Sequence, residues 1–177
     1  MKSTIYLVKE VFVRGNEFDS IDVRAFLNED DAFNYVMTEL KNYEEGFDIE
    51  DEDNEVDFDI IRDGFESVII NNDENEKYLY SVDFMNIDNN EIPKEIHLYT
   101  EVNTYTSGEI CPHALGFLTE SEAKQEMISE INNRADEEMD DNLYWVSEGS
   151  IEDNYVVLED ENGNTSYLEC YSIYLNN

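Results

Sequence analysis

The sequence predicts an α+β protein of two tandem ββαβββ repeats, each an antiparallel sheet with one packed helix. Three observations point there. Segments recur at an offset of 91 residues, one amphipathic helix follows two apolar runs in each copy, and short alternating strands broken by turn residues follow the helix.

The repeat is read directly. Ile5-Tyr6-Leu7-Val8-Lys9-Glu10-Val11 aligns with Ile96-His97-Leu98-Tyr99-Thr100-Glu101-Val102, and Ala25 to Ala32 aligns with Gly116 to Ala123. The match continues through Val36 with Met127, Met37 with Ile128 and Leu40 with Ile131. Farther on the offset slips to 87 at Asp73-Glu74-Asn75 and Asp160-Glu161-Asn162, then to 89 at Tyr78-Leu79 and Tyr167-Leu168. Loops absorb such insertions most easily. The predicted division is a first acidic repeat over 1–88, a linker over 89–94 and a second acidic repeat over 95–177.

Each copy begins with two apolar runs, 4–13 with 21–27 and 95–105 with 114–118, whose connections contain Gly15 or Gly108 and read as hairpin loops. The helix comes next. Asn28 and Thr119 sit where N-caps belong, acids occupy the first turn, and Thr119-Glu120-Ser121-Glu122 has the spacing of a capping box. Ala32, Val36, Met37 and Leu40 form one apolar stripe, and Ala123, Met127, Ile128 and Ile131 form its counterpart, both predicted to be core. Three short strands complete each copy: 56–61, 67–70 and 78–84 in the first, 143–146, 155–158 and 166–175 in the second. Asp63-Gly64 and Glu148-Gly149 are expected at their first turns. The sheet face away from the helix is expected to be solvated or to face its twin.

Charge is the dominant compositional fact. The chain has 45 Asp and Glu against 10 Lys and Arg, a formal net charge of −35. Direct binding to nucleic acid or an anionic membrane is excluded on that ground, because phosphate contacts need basic patches. Such acidity raises the question of disorder, yet Leu, Ile, Val and Phe form about 27% of the chain, above the roughly 20% below which disorder is expected. Lysine is scarce although asparagine, isoleucine and tyrosine, whose codons are as AT-rich, are abundant. Positive charge has been kept out. The first residues lack the apolar run of a secretory signal, so a cytoplasmic protein of a bacterial host cell is expected. Cys111 and Cys170 fit a reducing compartment as free thiols.

The acids are distributed over both copies: residues 1–91 carry 26 against seven basic residues, and the remainder 19 against three. The densest stretch, Glu44 to Asp59, has ten acids in sixteen residues, among them Asp48, Glu50, Asp51, Glu52, Asp53, Glu55, Asp57 and Asp59. Val56-Asp57-Phe58-Asp59-Ile60 alternates, which places Asp57 and Asp59 on the outer face of a strand. Glu122, Glu126 and Glu130 recur every fourth residue, about 6 Å apart along a helix. Asp136, Glu137, Glu138, Asp140 and Asp141 extend that surface. These sixteen residues are the predicted partner-binding surface, because carboxylates at that spacing can stand in for the phosphates of a nucleic-acid strand.

No cofactor, metal or catalytic site is predicted. Asp51-Glu52-Asp53-Asn54-Glu55 and Asp160-Glu161-Asn162-Gly163-Asn164 resemble calcium loops only at their starts: the sixth position is Val56 or Thr165 instead of Gly, and the twelfth is Arg62 or Tyr171 instead of Glu. Cys111-Pro112-His113 with His97 and Cys170 matches no zinc spacing. Signatures of nucleophilic or phosphate-transfer enzymes are missing. Tyr99, Tyr105, Tyr144, Trp145, Tyr171 and Tyr174 could cluster on a sheet face, although core packing accounts for most of them.

The strand–loop–strand layout ending in a Phe-Leu-x-Glu-x-x-Ala helix start resembles small proteins of phages and mobile elements that have no assigned function. In size, charge and lack of catalytic motifs the chain also resembles acidic anti-restriction and anti-CRISPR inhibitors. That resemblance implies a nucleic-acid mimic, a non-enzymatic inhibitor, monomer or homodimer, that blocks the DNA- or RNA-binding groove of a basic host protein such as a nuclease. The alternative expectation is an immunity or antitoxin-like protein that neutralises a basic toxin.

Overall fold

The computed structural model describes residues 3–15, 17–46, 57–61, 66–71, 76–87, 92–135 and 144–175, with side chains for all of these except 43–46, 57–61 and 66–71. The chain divides into two compact units, Met1–Asn90 and Glu91–Leu175. It is an α+β protein, with two antiparallel sheets and two α-helices among the described residues.

In the first unit, β1 (Ser3–Arg14) and β2 (Glu17–Phe26) precede α1 (Glu29–Gly46), and β3 (Asp57–Ile61), β4 (Glu66–Asn71) and β5 (Glu76–Ile87) follow it. The strands lie in the order β2-β1-β5-β4-β3. In the second, β6 (Glu95–Thr104) and β7 (Ile110–Phe117) precede α2 (Glu120–Arg134), and β8 (Tyr144–Ser150), β9 (Tyr155–Asp160) and β10 (Thr165–Tyr174) follow. Their order is β7-β6-β10-β9-β8.

Strands β1 and β6 each lie between two neighbours, and each carries buried apolar side chains on both faces. On the helix side, Val8 and Tyr80 pack with Ala32, Val36 and Leu40, and Tyr99, Val156, Leu158 and Leu168 pack with Ala123 and Met127. The face turned away from the helix carries Ile5, Leu7, Val11 and Val13 in one unit and Ile96, Leu98 and Val102 in the other, all essentially inaccessible. Strand β7 begins at Ile110, earlier than expected, and runs through Pro112. That proline is tolerated because β7 is an edge strand with one neighbour, so its missing N–H breaks no ladder.

Other expectations need correction. Met37 and Ile128 are each 37% exposed. The buried stripe follows the i, i+4 ridge, and the next residue is displaced about 100° around the axis. Glu148-Gly149 is not a turn but lies within β8, after a bulge between Val146 and Glu148. The reversal comes at Ile151–Asp153, a 3-10 turn capped by the Ser150 hydroxyl and closed by Asn154 at φ 60°. Asp63-Gly64 lies outside the described residues. Glu10 pairs with Tyr80 and Glu101 with Leu168, so the last strands correspond at an offset of 88 and not 89. A one-residue slip exchanges faces: Leu79 lies opposite Val11, away from the helix, whereas Leu168 sits in the helix-side core.

Candidate functional site

Of the sixteen predicted interface residues, Asp48, Glu50, Asp51, Glu52, Asp53, Glu55, Asp136, Glu137, Glu138, Asp140 and Asp141 lie outside the described residues. Asp57 and Asp59 are on β3, paired with Ile70 and Val68 of β4. Glu122, Glu126 and Glu130 are on α2 and flank its buried residues, Ala123 and Met127.

The helix begins where Thr119 can cap it. The Thr119 hydroxyl accepts from the Glu122 N–H at 3.3 Å, and the Glu122 carboxylate accepts from the Thr119 N–H at 3.1 Å and from its hydroxyl at 2.8 Å. In the first unit Asn28 Oδ1 accepts from the Asp31 N–H at 2.7 Å, and the Asn28 amide also donates to the Asp31 carboxylate. Glu122 is thus a structural cap as well as a surface charge. Glu130 accepts from Arg134 Nε at 2.7 Å, and Glu120 pairs with Lys124 at 2.9 Å. Among the described residues, Glu126 is the member of the expected row that has neither a capping bond nor an ion pair.

Arg134 ends α2 inside a polar network. Besides Glu130, it donates to the Ser166 hydroxyl at 2.9 Å and to the Glu101 carboxylate, and its guanidinium lies 5.0 Å from the Tyr144 ring centroid. Glu101 also accepts from Tyr99 at 2.8 Å and from Asn103 at 2.7 Å. Burial works against the charge of Arg134, but Glu101 and Glu130 outweigh it and hold the guanidinium protonated. Burial and then the Glu101 carboxylate push the Tyr99 phenol far up. Four satisfied partners around one arginine make a clamp joining helix to sheet.

The first unit places Glu10 at the position matching Glu101. It accepts from the Tyr80 hydroxyl at 2.8 Å. Arg24 stacks 4.8 Å over the Tyr35 ring and pairs with Asp22. The Tyr35 hydroxyl is buried without a hydrogen-bond partner among the described residues, and burial, then Glu10, push its pKa up to about 12.

The few cations have internal duties. Lys9, almost wholly buried, pairs with Asp83 at 2.8 Å, and Arg14 pairs with Glu76 at 3.1 Å. With Arg24, Lys124 and Arg134, five of the ten basic residues are tied to acids of their own unit. With 45 acids against ten basic residues, five of them held in such pairs, the field presented outward is predominantly negative.

These six aromatic residues do not form one cluster, and core packing accounts for two of them. Tyr99 and Tyr144 are in the helix-side core, Tyr105 follows β6, Trp145 lies on the opposite face, and Tyr174 is 71% exposed at the end of β10. A different set comes together on the face of β8, β9 and β10 away from α2. Trp145 lies opposite Glu159, Glu148 opposite Val157, Val157 opposite Tyr167, and Tyr155 opposite Glu169. Directly paired residues share a face. This gives Trp145, Tyr155 and Tyr167 alternating with Glu148, Glu159 and Glu169. The signal is present in the sequence as the alternations 155-157-159 and 165-167-169, but the strand register is what joins them.

Both cysteines are free, Cys111 exposed and Cys170 buried, and burial raises the Cys170 thiol to about 11, which keeps it protonated. Among the described residues no group of His, Cys, Asp or Glu is arranged to hold a metal ion. Asp160-Glu161-Asn162-Gly163-Asn164 is the β9–β10 hairpin loop: the Asp160 carboxylate accepts from the backbone N–H groups of Asn162 and Asn164 at 2.9 and 2.8 Å. Among the described residues no helix is long and apolar enough to cross a membrane. Compared with models of known protein families, with curated proteins and with solved structures, the chain finds no match.

Proposed function

We propose that this chain is a nucleic-acid-mimicking inhibitor that occupies the DNA- or RNA-binding groove of a basic protein, such as a restriction or CRISPR nuclease, without catalysis of its own. The observation that carries this reading is the use of charge. The chain has a net charge of −35, and the cations with identified partners are spent on internal pairs. Carboxylates on helix α2 are held at helical spacing by a capping box and by Arg134, so they form a firm acidic edge and not a loose tail. Firm placement lowers the entropy lost on binding, and a predominantly negative field steers a basic partner at rates that fall with salt.

The element orders of the two units support a further part of the proposal, that they derive from one duplicated ββαβββ unit. Two acidic units on one chain then engage a longer groove or two sites with gained avidity.

The test is capture from bacterial lysate with the full chain immobilised, with and without excess duplex DNA. Mimicry expects retained proteins to be nucleic-acid binders that DNA displaces. Retention that DNA leaves unchanged overturns mimicry, and capture of a toxin outside its nucleic-acid groove establishes the immunity reading instead.

A further inference from the structure

The aromatic and acidic face of β8, β9 and β10 differs from the acidic edge of α2 in two ways. On α2, Glu120 and Glu130 have cations of their own, while among the described residues none of Glu148, Glu159 and Glu169 is ion-paired. The α2 edge also has no aromatic ring in its row, whereas here Trp145, Tyr155 and Tyr167 alternate with the carboxylates. Trp145 is 48% exposed and is the only tryptophan in the chain. Burial, and then the neighbouring Glu148, Tyr167 and Glu169, push the Tyr155 phenol up.

A sheet face with stacked rings could in principle hold unpaired bases. The three carboxylates exclude that here, since each stacked base would bring its phosphate against them. What fits both components is a cation with a flat face. A guanidinium stacks on an aromatic ring and at the same time donates paired hydrogen bonds to a carboxylate, which a lysine ammonium cannot do in that geometry.

We infer that this face of β8–β10 is the docking surface for an arginine-rich segment of a basic partner, each guanidinium stacking on Trp145, Tyr155 or Tyr167 and donating to the neighbouring Glu148, Glu159 or Glu169. The inference rests on the proposed function in that both require a basic partner. It commits to charge complementarity as the reason for the occupant: in a chain of net charge −35, these strands lack a cation of their own beside one exposed ring, Trp145, and two half-buried ones, Tyr155 and Tyr167. Burial raises the carboxyl of Glu169 above its ordinary range, and an arriving cation relieves that cost. The surface would then supply the anchor of the interface, with aromatic residues at its centre and long-range attraction supplied by the remaining acids.

The experiment uses the full chain and two probes, a nine-residue oligo-arginine peptide and an oligo-lysine peptide of equal charge, titrated at one ionic strength. Trp145 fluorescence reports directly on the site. The arginine peptide is expected to change Trp145 emission and to bind at least about threefold tighter than the lysine peptide. The triple variant Glu148→Gln, Glu159→Gln, Glu169→Gln is expected to weaken arginine-peptide binding about tenfold. A control triple of equal charge change, Glu17→Gln, Asp19→Asn, Asp30→Asn, should weaken it by less than about twofold. Circular dichroism of both triples should match the parent. Trp145→Leu, followed by calorimetry, should lose the preference for arginine. Equal binding of the two peptides, equal losses in the two triples, or Trp145 quenching by an oligothymidylate overturns the surface. Arginine preference without any DNA-displaceable partner in lysate leaves the surface standing and removes mimicry. A DNA-displaceable partner held equally by the β8–β10 triple and the parent does the reverse.

Discussion

Arg134, the last residue of α2, donates to the buried Glu101 carboxylate in the middle of β6, 33 residues back along the chain. The side chains of this pair are 13% and 8% exposed. Removing one partner of a buried pair leaves an uncompensated charge. Arg134→Met should therefore destabilise the second unit by about 3 kcal/mol or more, read by chemical denaturation. Adding Glu101→Gln should recover at least about 1 kcal/mol of that loss. Additive effects would show that the two side chains are not coupled.

The capping box separates two roles that α2 combines. Thr119→Ala should lower stability by about 1 kcal/mol. Glu126→Gln, on the same helix but outside the box and the ion pairs, should change it by less than about 0.5 kcal/mol. Thermal melts of the two variants make the comparison. A cost at Glu126 equal to that at Thr119 would mean that the acidic edge itself supports the fold. Substitutions at Glu122 test fold and binding together, so Glu126 is the cleaner probe of the interface.

Asp160 and Glu169 should give opposite pH signatures. Burial opposes the charge of Asp160, but donation from Asn164 and Asn162 outweighs it and holds the carboxyl below its ordinary 3.8. A depressed folded value means stability that is present above the unfolded value and lost as pH falls through the folded one. Asp160→Asn should thus be less stable than the parent at pH 7, with the gap closing below about pH 4. Burial instead raises Glu169 above its ordinary 4.5. Its contribution is full below the unfolded value and lost as pH rises through the folded one. Glu169→Gln should be at least as stable as the parent at pH 7, with any gain vanishing near pH 4. Denaturation midpoints across pH 3–8 decide both, and parallel curves for the parent and Asp160→Asn would refute the role of Asp160.

Gly149 occupies φ +78° beside the β8 bulge, and a Cβ there would collide with the Tyr155 carbonyl oxygen and ring. Gly163 has nearly the same φ, +79°, but its Cβ would meet Thr106 at an ordinary 3.6 Å. Gly149→Ala should cost about 2 kcal/mol or more, because backbone strain and a clash add, whereas Gly163→Ala should cost about 1 kcal/mol from conformation alone. Equal losses would mean that β8 shifts to make room.

Much of this arrangement was readable because its signals are local. The N-caps at Asn28 and Thr119, the stripe Ala32-Val36-Leu40 and the apolar runs of β1 and β6 each declare themselves within a few residues, since capping and periodicity depend on near neighbours. The acidity was read from counting alone. Wherever the outcome depended on alignment between strands, the sequence was silent or misleading. Gly149 looked like a turn residue because its positive φ is one that turns also use, yet it is paired with Val156 inside β8, next to the bulge. Tyr78-Leu79 looked equivalent to Tyr167-Leu168, though register puts Leu79 and Leu168 on opposite faces.

The interface was legible to the same extent. Glu122, Glu126 and Glu130 could be placed on one helix edge from their spacing, yet the capture of Glu122 by Thr119 and of Glu130 by Arg134 divides the row into different tasks. Trp145, Tyr155, Tyr167 and their three glutamates come from three strands, and nothing along the chain joins them. The sequence by itself determined the α+β class, the helix starts and the amount of negative charge, because these follow from composition and short-range pattern. Only the tertiary structure decided which carboxylates have cations of their own and which lie beside aromatic rings, because those pairings depend on strand register between residues distant along the chain.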